Sequence, residues 1–160
     1  MTTIRFLDSS ALVKLFIDEL GSGVLRDYID TLDDESKSFS LLGEVEVRSA
    51  LQRRLRNQEM SSDQLRSALI KLHLVSTSWL RTPIEEREIE FATGVINRHA
   101  LRSLDALQLA SALALREQIN DDENIVLIAC DKRLLAAATA EGLTIWNPEN
   151  SPQPPTPPVN

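Results

Sequence analysis

Two apolar runs in this chain each end in an acid, and each is followed at once by a helical pattern. Ile4 to Leu7 leads into Asp8, and Ile125 to Cys130 leads into Asp131. The second run, IVLIAC, is continuously apolar, which predicts a strand covered on both faces. After Asp8, Ala11, Leu12, Leu15 and Phe16 follow a helical period. After Asp131 come Leu134, Leu135 and Ala138, with Gly142 as a helix stop. Between the two runs, helical patterns cover 41–57, 61–73, 84–98 and 104–118. The second opens on Ser61, Ser62 and Asp63, good N-cap residues, and the third follows Pro83. Shorter apolar segments at Ser38–Leu42, Leu74–Trp79 and Leu143–Trp146 are candidates for further strands. Strands alternating with helices predict a mostly parallel sheet with helices on both faces.

The end of the chain changes character. Residues 147–160 read NPENSPQPPTPPVN and hold six of the seven prolines. Such a segment has little to bury and few backbone donors, so a disordered or polyproline-like tail is expected.

Composition narrows the class. A length of 160 residues suits one domain with one core. Apolar residues are 42% and aromatics 4%, so Leu, Ala, Ile and Val must build that core. The single cysteine, Cys130, cannot form an internal disulfide, which suits a reducing compartment. Asp8 and Lys14 interrupt the N-terminal apolar run, and no stretch reaches the roughly 18 apolar residues of a membrane span. A soluble, cytoplasmic protein is expected. The net charge of −7 argues against indiscriminate nucleic-acid binding. Any RNA contact must come from a local basic face.

Four acids are the candidate chemistry. Ligands of open parallel sheets bind beyond the carboxyl ends of the strands, where Asp8 and Asp131 fall. Each could equally cap the helix that follows it. Asp105 lies in HALRSLDALQLASALAL, among apolar residues that leave little polar face. A partly desolvated carboxylate there needs a cation or strong hydrogen bonds. Glu46 and Glu44 point to roughly opposite sides of one helix, so at most one faces a site. Glu46 is favoured and Glu44 is the alternative. The remaining acids read as solvated: Asp30, Asp33, Asp34 and Glu35; Asp121, Asp122 and Glu123; and Glu85, Glu86, Glu88 and Glu90. His73 and His99 are isolated and receive no ligand role.

FLDSSALVKLF, EVRSALQRR, LRSLDALQLASALAL and ACDKRLLAAATAEGL resemble the four signature segments of PIN-domain proteins. They are most similar to VapC-type toxins of bacterial type II toxin–antitoxin systems, in order and spacing over residues 4–146. The resemblance implies a three-layer α/β/α sandwich, with a nuclease domain over 1–146 and the Pro-rich tail over 147–160. It implies an endoribonuclease using Mg²⁺ or Mn²⁺. Asp8, Glu46, Asp105 and Asp131 match the family's four catalytic, metal-binding acids, and Ser10 matches a hydroxyl that supports the first. One departure is Cys130, where the family often has Thr or Ser. A cognate antitoxin and a homodimer are further implications.

Four converging carboxylates repel one another unless cations or protons intervene, and hard divalent ions prefer oxygen ligands. Hydrolysis of an RNA phosphodiester follows as the expected reaction. Arg102, three residues before Asp105, is the preferred phosphate contact, with Arg48 a second. Lys14, Arg53, Arg54, Arg56, Arg98, Lys132 and Arg133 are further cations near the acid segments. Two rival classes differ in kind. A dehalogenase-type phosphatase would need a second Asp at position 10, which is Ser, and a receiver domain would need an acidic pair after its first strand. A catalytically inactive PIN-like module that binds RNA or protein is the alternative on the same fold.

Overall fold

A computed structural model describes residues 3–120 and 123–155. Asp121, Asp122 and residues 156–160 of the expected tail lie outside the described residues. Within them, five strands form one parallel sheet. The strands are β1 (Thr3–Leu7), β2 (Lys37–Ser40), β3 (Leu80–Thr82), β4 (Asn124–Ile128) and β5 (Thr144–Trp146). Their order is β3-β2-β1-β4-β5. The helices are α1 (Ser9–Leu12, running into a 3₁₀ turn at Val13–Leu15), α2 (Ser22–Ile29), α3 (Leu41–Arg56), α4 (Ser62–Ser78), α5 (Glu86–Arg98), α6 (Ser103–Arg116) and α7 (Lys132–Ala140).

Alternation along the strands sorts the core into two layers. Ile4, Phe6, Ile125, Leu127 and Ala129 face α5, α6 and α7, meeting Val95, Leu109, Leu113 and Leu134. Leu7, Phe39, Val126 and Ile128 face the other way and pack on Leu12, Leu25, Val47 and Leu72 of α1 to α4. The result is the three-layer α/β/α sandwich expected from the alternation of strands and helices. The chain leaves β1 toward β2 on one side and later returns to β4 on the other. The carboxyl ends of β1 and β4 are therefore the topological switch point, where a crevice opens in such sheets.

Some expected elements differ. Leu74–Ser78 is not a strand but the C-terminal part of α4, with Trp79 as its C-cap, and β3 begins at Leu80. Leu72, Val75, Ser76 and Trp79 are the buried positions, a helical rather than alternating spacing, and a capping box between Ser61 and Gln64 starts the helix. Helix α2 had no counterpart in the sequence reading. Glu88, expected on an exposed face, is buried, and its side chain accepts the Glu85 amide in a second capping box.

The first residues of the Pro-rich segment pack against the domain. The Trp146 indole N–H donates to the Ser151 carbonyl at 3.2 Å, and Trp146 meets Tyr28 edge to face. Gly21 has φ +83°, and a Cβ there would lie 2.8 Å from the Pro148 carbonyl oxygen, so glycine permits both the turn and the approach. Glu149 pairs with Lys14 at 2.7 Å.

Candidate active site at the carboxyl edge of the sheet

Asp8 follows β1 directly and caps α1. Its Oδ1 accepts the Ala11 amide at 3.0 Å and the Ser10 hydroxyl at 2.7 Å. Asp8 is 3% exposed. Burial pushes its carboxyl up to about 7, against the pull of those hydrogen bonds, and the charge of Glu46 adds to the rise. Among the described residues, Oδ2 takes no hydrogen bond.

Ser10 joins the two central strands. While donating to Asp8, its oxygen accepts the Cys130 amide at 2.8 Å. The departure at Cys130 thus leaves a bond through the backbone in place. Burial pushes the Cys130 thiol up to about 12, so it stays neutral.

Asp131 caps α7, its Oδ1 accepting the Arg133 and Leu134 amides at 2.8 and 2.9 Å. The capping role weighed from sequence is real for both strand-end acids. It leaves the second oxygen of each uncommitted among the described residues.

Asp105 sits in the first turn of α6, half-buried. Burial raises its pKa, and the charges of Asp131 and Glu46 raise it further, while Arg102 and Arg133 pull it down. Glu46 therefore acts on both Asp8 and Asp105, and Asp131 acts on Asp105. Asp105 thus senses the charges of Asp131 and Glu46, and Asp8 that of Glu46, across long separations in sequence. Glu44 points elsewhere: it accepts from Ser76 of α4 at 2.9 Å and pairs with Arg48 at 3.1 Å. Arg48 is thereby engaged on that side of α3. Arg54 pairs with Glu19 and Glu59 at the far end of the helix, and Lys14 is buried between Glu19 and Glu149. The cations that bear on Asp105 are Arg102 and Arg133.

Sequence reasoning missed Gln108. Its amide Nε2 donates to Glu46 Oε2 at 2.6 Å, linking α6 to α3 over the sheet edge. Its signal was a polar residue on the buried side of an otherwise Leu/Ala helix.

Among the described residues, no three His, Cys, Asp or Glu side chains are gathered into a ready metal-ligand set. The donor chemistry nevertheless fits a hard divalent cation. Every candidate ligand is a carboxylate oxygen, and two of the acids carry raised pKa values that a cation would relieve. A hollow of about 680 Å³ lined by Phe16, Arg26, Arg54, Met60 and Lys71 contains none of the four acids.

The PIN domain family model matches residues 5–140. The chain belongs to the PIN-domain family. Ribonuclease VapC49 of Mycobacterium tuberculosis (strain H37Rv) is 34% identical over 143 residues, spanning 88% of this chain and 92% of the relative. Ribonuclease VapC46 of the same strain is 32% identical over 143 residues, spanning 89% and 96%. The fold is similar to that of VapC20 of Mycobacterium tuberculosis, a sarcin–ricin loop cleaving toxin (TM-score 0.62, 17% identity, 88% of this chain and 96% of that one). A toxin–antitoxin complex from Klebsiella pneumoniae gives a TM-score of 0.62 at 16% identity, covering 90% and 97%. The PIN match includes all four acids. No helix among the described residues is long and apolar enough to cross a membrane.

Proposed function

We propose that this PIN-domain chain is a Mg²⁺- or Mn²⁺-dependent endoribonuclease and the toxin of a type II toxin–antitoxin pair, acting in the cytoplasm. The observation that carries the reading is the placement of Asp8 and Asp131 after β1 and β4 at the switch point, with Asp105 in the first turn of α6 and Glu46 tied to that helix through Gln108. The similarity to ribonucleases of the VapC group supports RNA as the substrate class.

Asp8, Asp105 and Asp131 would hold the cation directly or through waters, and Glu46 would complete the shell or orient the attacking water. The cation supplies a lowered water pKa and charge stabilisation at the phosphate. The protein's own groups do the rest. Ser10 fixes the orientation of Asp8. The α1 and α7 N-termini hold the strand-end acids through backbone amides. Arg102 and Arg133 bind phosphate without reading base sequence. With a net charge of −7 over the chain, these two cations give the local basic face that RNA needs. The partners proposed are a cognate antitoxin that blocks this edge, and a second copy of the chain.

Incubation of purified protein with tRNA and rRNA fragments tests the reading. Cleavage is expected with Mg²⁺ or Mn²⁺, and its loss with EDTA or in Asp8→Asn and Asp105→Asn. Cleavage that survives EDTA and both substitutions rejects the metal-dependent mechanism. RNA or antitoxin binding with no cleavage of any RNA favours the inactive binding module.

A further inference from the structure

The Ser40, Gln108 and Glu46 side chains form a hydrogen-bonded chain in which every donor and acceptor is determined. Ser40 caps α3: its oxygen accepts the Gly43 amide at 3.1 Å. An amide only donates, so the hydroxyl proton must go elsewhere. It goes to Gln108 Oε1 at 3.0 Å. That contact orients the Gln108 amide, and its NH₂ then meets Glu46 Oε2 at 2.6 Å. Reversing the amide would press two acceptors together at that distance. Ser40 and Gln108 are 0% and 1% exposed.

Gln108 is a buried polar residue on a helix rich in Leu and Ala, and Met has a similar volume. A buried amide is costly unless both its ends are paired, and here they are. Gln108 also lies one turn beyond Asp105 on the same helix. It therefore ties α3, which carries Glu46, to α6, which carries Asp105, and these helices belong to opposite layers of the sandwich.

We propose that Gln108 is the positioning residue for Glu46: oriented by Ser40, it holds Oε2 of Glu46 and leaves Oε1 as the oxygen available to the acid cluster. This inference rests on the nuclease reading. Gln108 touches neither substrate nor cation, and acts only through Glu46.

The test uses the full chain, with Mn²⁺ as the probe, in a double-mutant cycle of Gln108→Met and Glu46→Gln. Mn²⁺ affinity is measured calorimetrically, and kcat and KM on a cleaved RNA. Gln108→Met is expected to lower Mn²⁺ affinity and kcat by roughly tenfold each, the scale for groups that orient metal ligands, with KM unchanged. In the Glu46→Gln background, Gln108→Met is expected to change Mn²⁺ affinity less than about twofold, because the residue it acts through is already altered. Ser40→Ala, which frees the amide to turn, is expected to move both quantities in the same direction by less. It stands in where Gln108→Met fails to fold. Wild-type Mn²⁺ affinity and kcat in Gln108→Met, or an equal loss in both backgrounds, overturns the proposal while the nuclease reading stands. A wild-type chain that binds Mn²⁺ but cleaves no RNA still tests the proposal through affinity. A chain that does neither overturns the nuclease reading and this inference with it.

Discussion

The Ser10 hydroxyl lies 2.7 Å from Asp8 Oδ1 and donates to it, while accepting the Cys130 amide from the neighbouring strand end. One small side chain thus fixes a buried acid and the β1/β4 junction together.

Removing that hydroxyl leaves the Cys130 N–H without its acceptor and Asp8 without a donor. Ser10→Ala is expected to cost about 1–3 kcal/mol of stability, the range for an orphaned buried hydrogen-bonding group. The Asp8 pKa should also rise further, because the Ser10 hydrogen bond is the largest of the contacts lowering it. Urea unfolding and carboxyl-carbon NMR check the two effects. Unchanged stability together with an unchanged Asp8 titration would mean that Ser10 is not coupled to the acid.

Asp8 predicts an unusual dependence on pH. Its carboxyl has an ordinary value of 3.8 and is raised in the native protein to about 7. The native state binds the proton more tightly, so stability falls as pH rises from about 4 to about 7 and levels off above. At about 1.4 kcal/mol per pH unit between the two values, the penalty is on the order of 4 kcal/mol. Asp8→Asn keeps an oxygen for Ala11 and Ser10 and never ionises. In EDTA at pH 8 it is expected to be more stable than the wild type, with the two converging near pH 4. Millimolar Mn²⁺ should reverse the order at pH 8 by binding the wild-type native state. Denaturation curves at several pH values decide this, and an Asp8→Asn protein less stable in EDTA at pH 8 contradicts it.

The Pro-rich segment carries a third prediction. Lys14 is almost wholly buried and pairs with Glu149 at 2.7 Å and Glu19 at 3.3 Å. Those partners hold its pKa above the usual lysine value despite burial. Glu149→Gln leaves Glu19 as the remaining partner and is expected to cost about 2 kcal/mol, less than for a pair broken outright. Removing residues 147–160 should cost more, since the Trp146–Ser151 bond is lost as well. Lys14→Met combined with Glu149→Gln should recover part of the loss. Thermal melting of the four proteins measures all of this; a truncated chain as stable as the full one would show the segment to be dispensable.

Much of the architecture was readable from order along the chain. The apolar runs before Asp8 and Asp131, and the helical patterns around them, are local signals, because strand and helix periods impose themselves on neighbouring residues. They were enough for a parallel α/β sandwich and for two acids at strand ends. Helix α2 escaped because it is short and begins among Gly21 and Gly23. Leu74–Trp79 misled because a short apolar run does not declare its period; burial of Leu72, Val75 and Trp79 decided for helix.

What only the tertiary structure could decide is direction and company. Glu46 and Glu44 are equivalent by spacing until packing turns one toward α6 and the other toward α4. Gln108 and Glu46 stand 62 residues apart, and their 2.6 Å bond exists only because the two helical layers meet over the sheet edge. Lys14 looked like a free cation in sequence and is a buried, paired one in the fold. Residue type and period follow from covalent neighbours. The partners of a charge follow from which elements the core forces together.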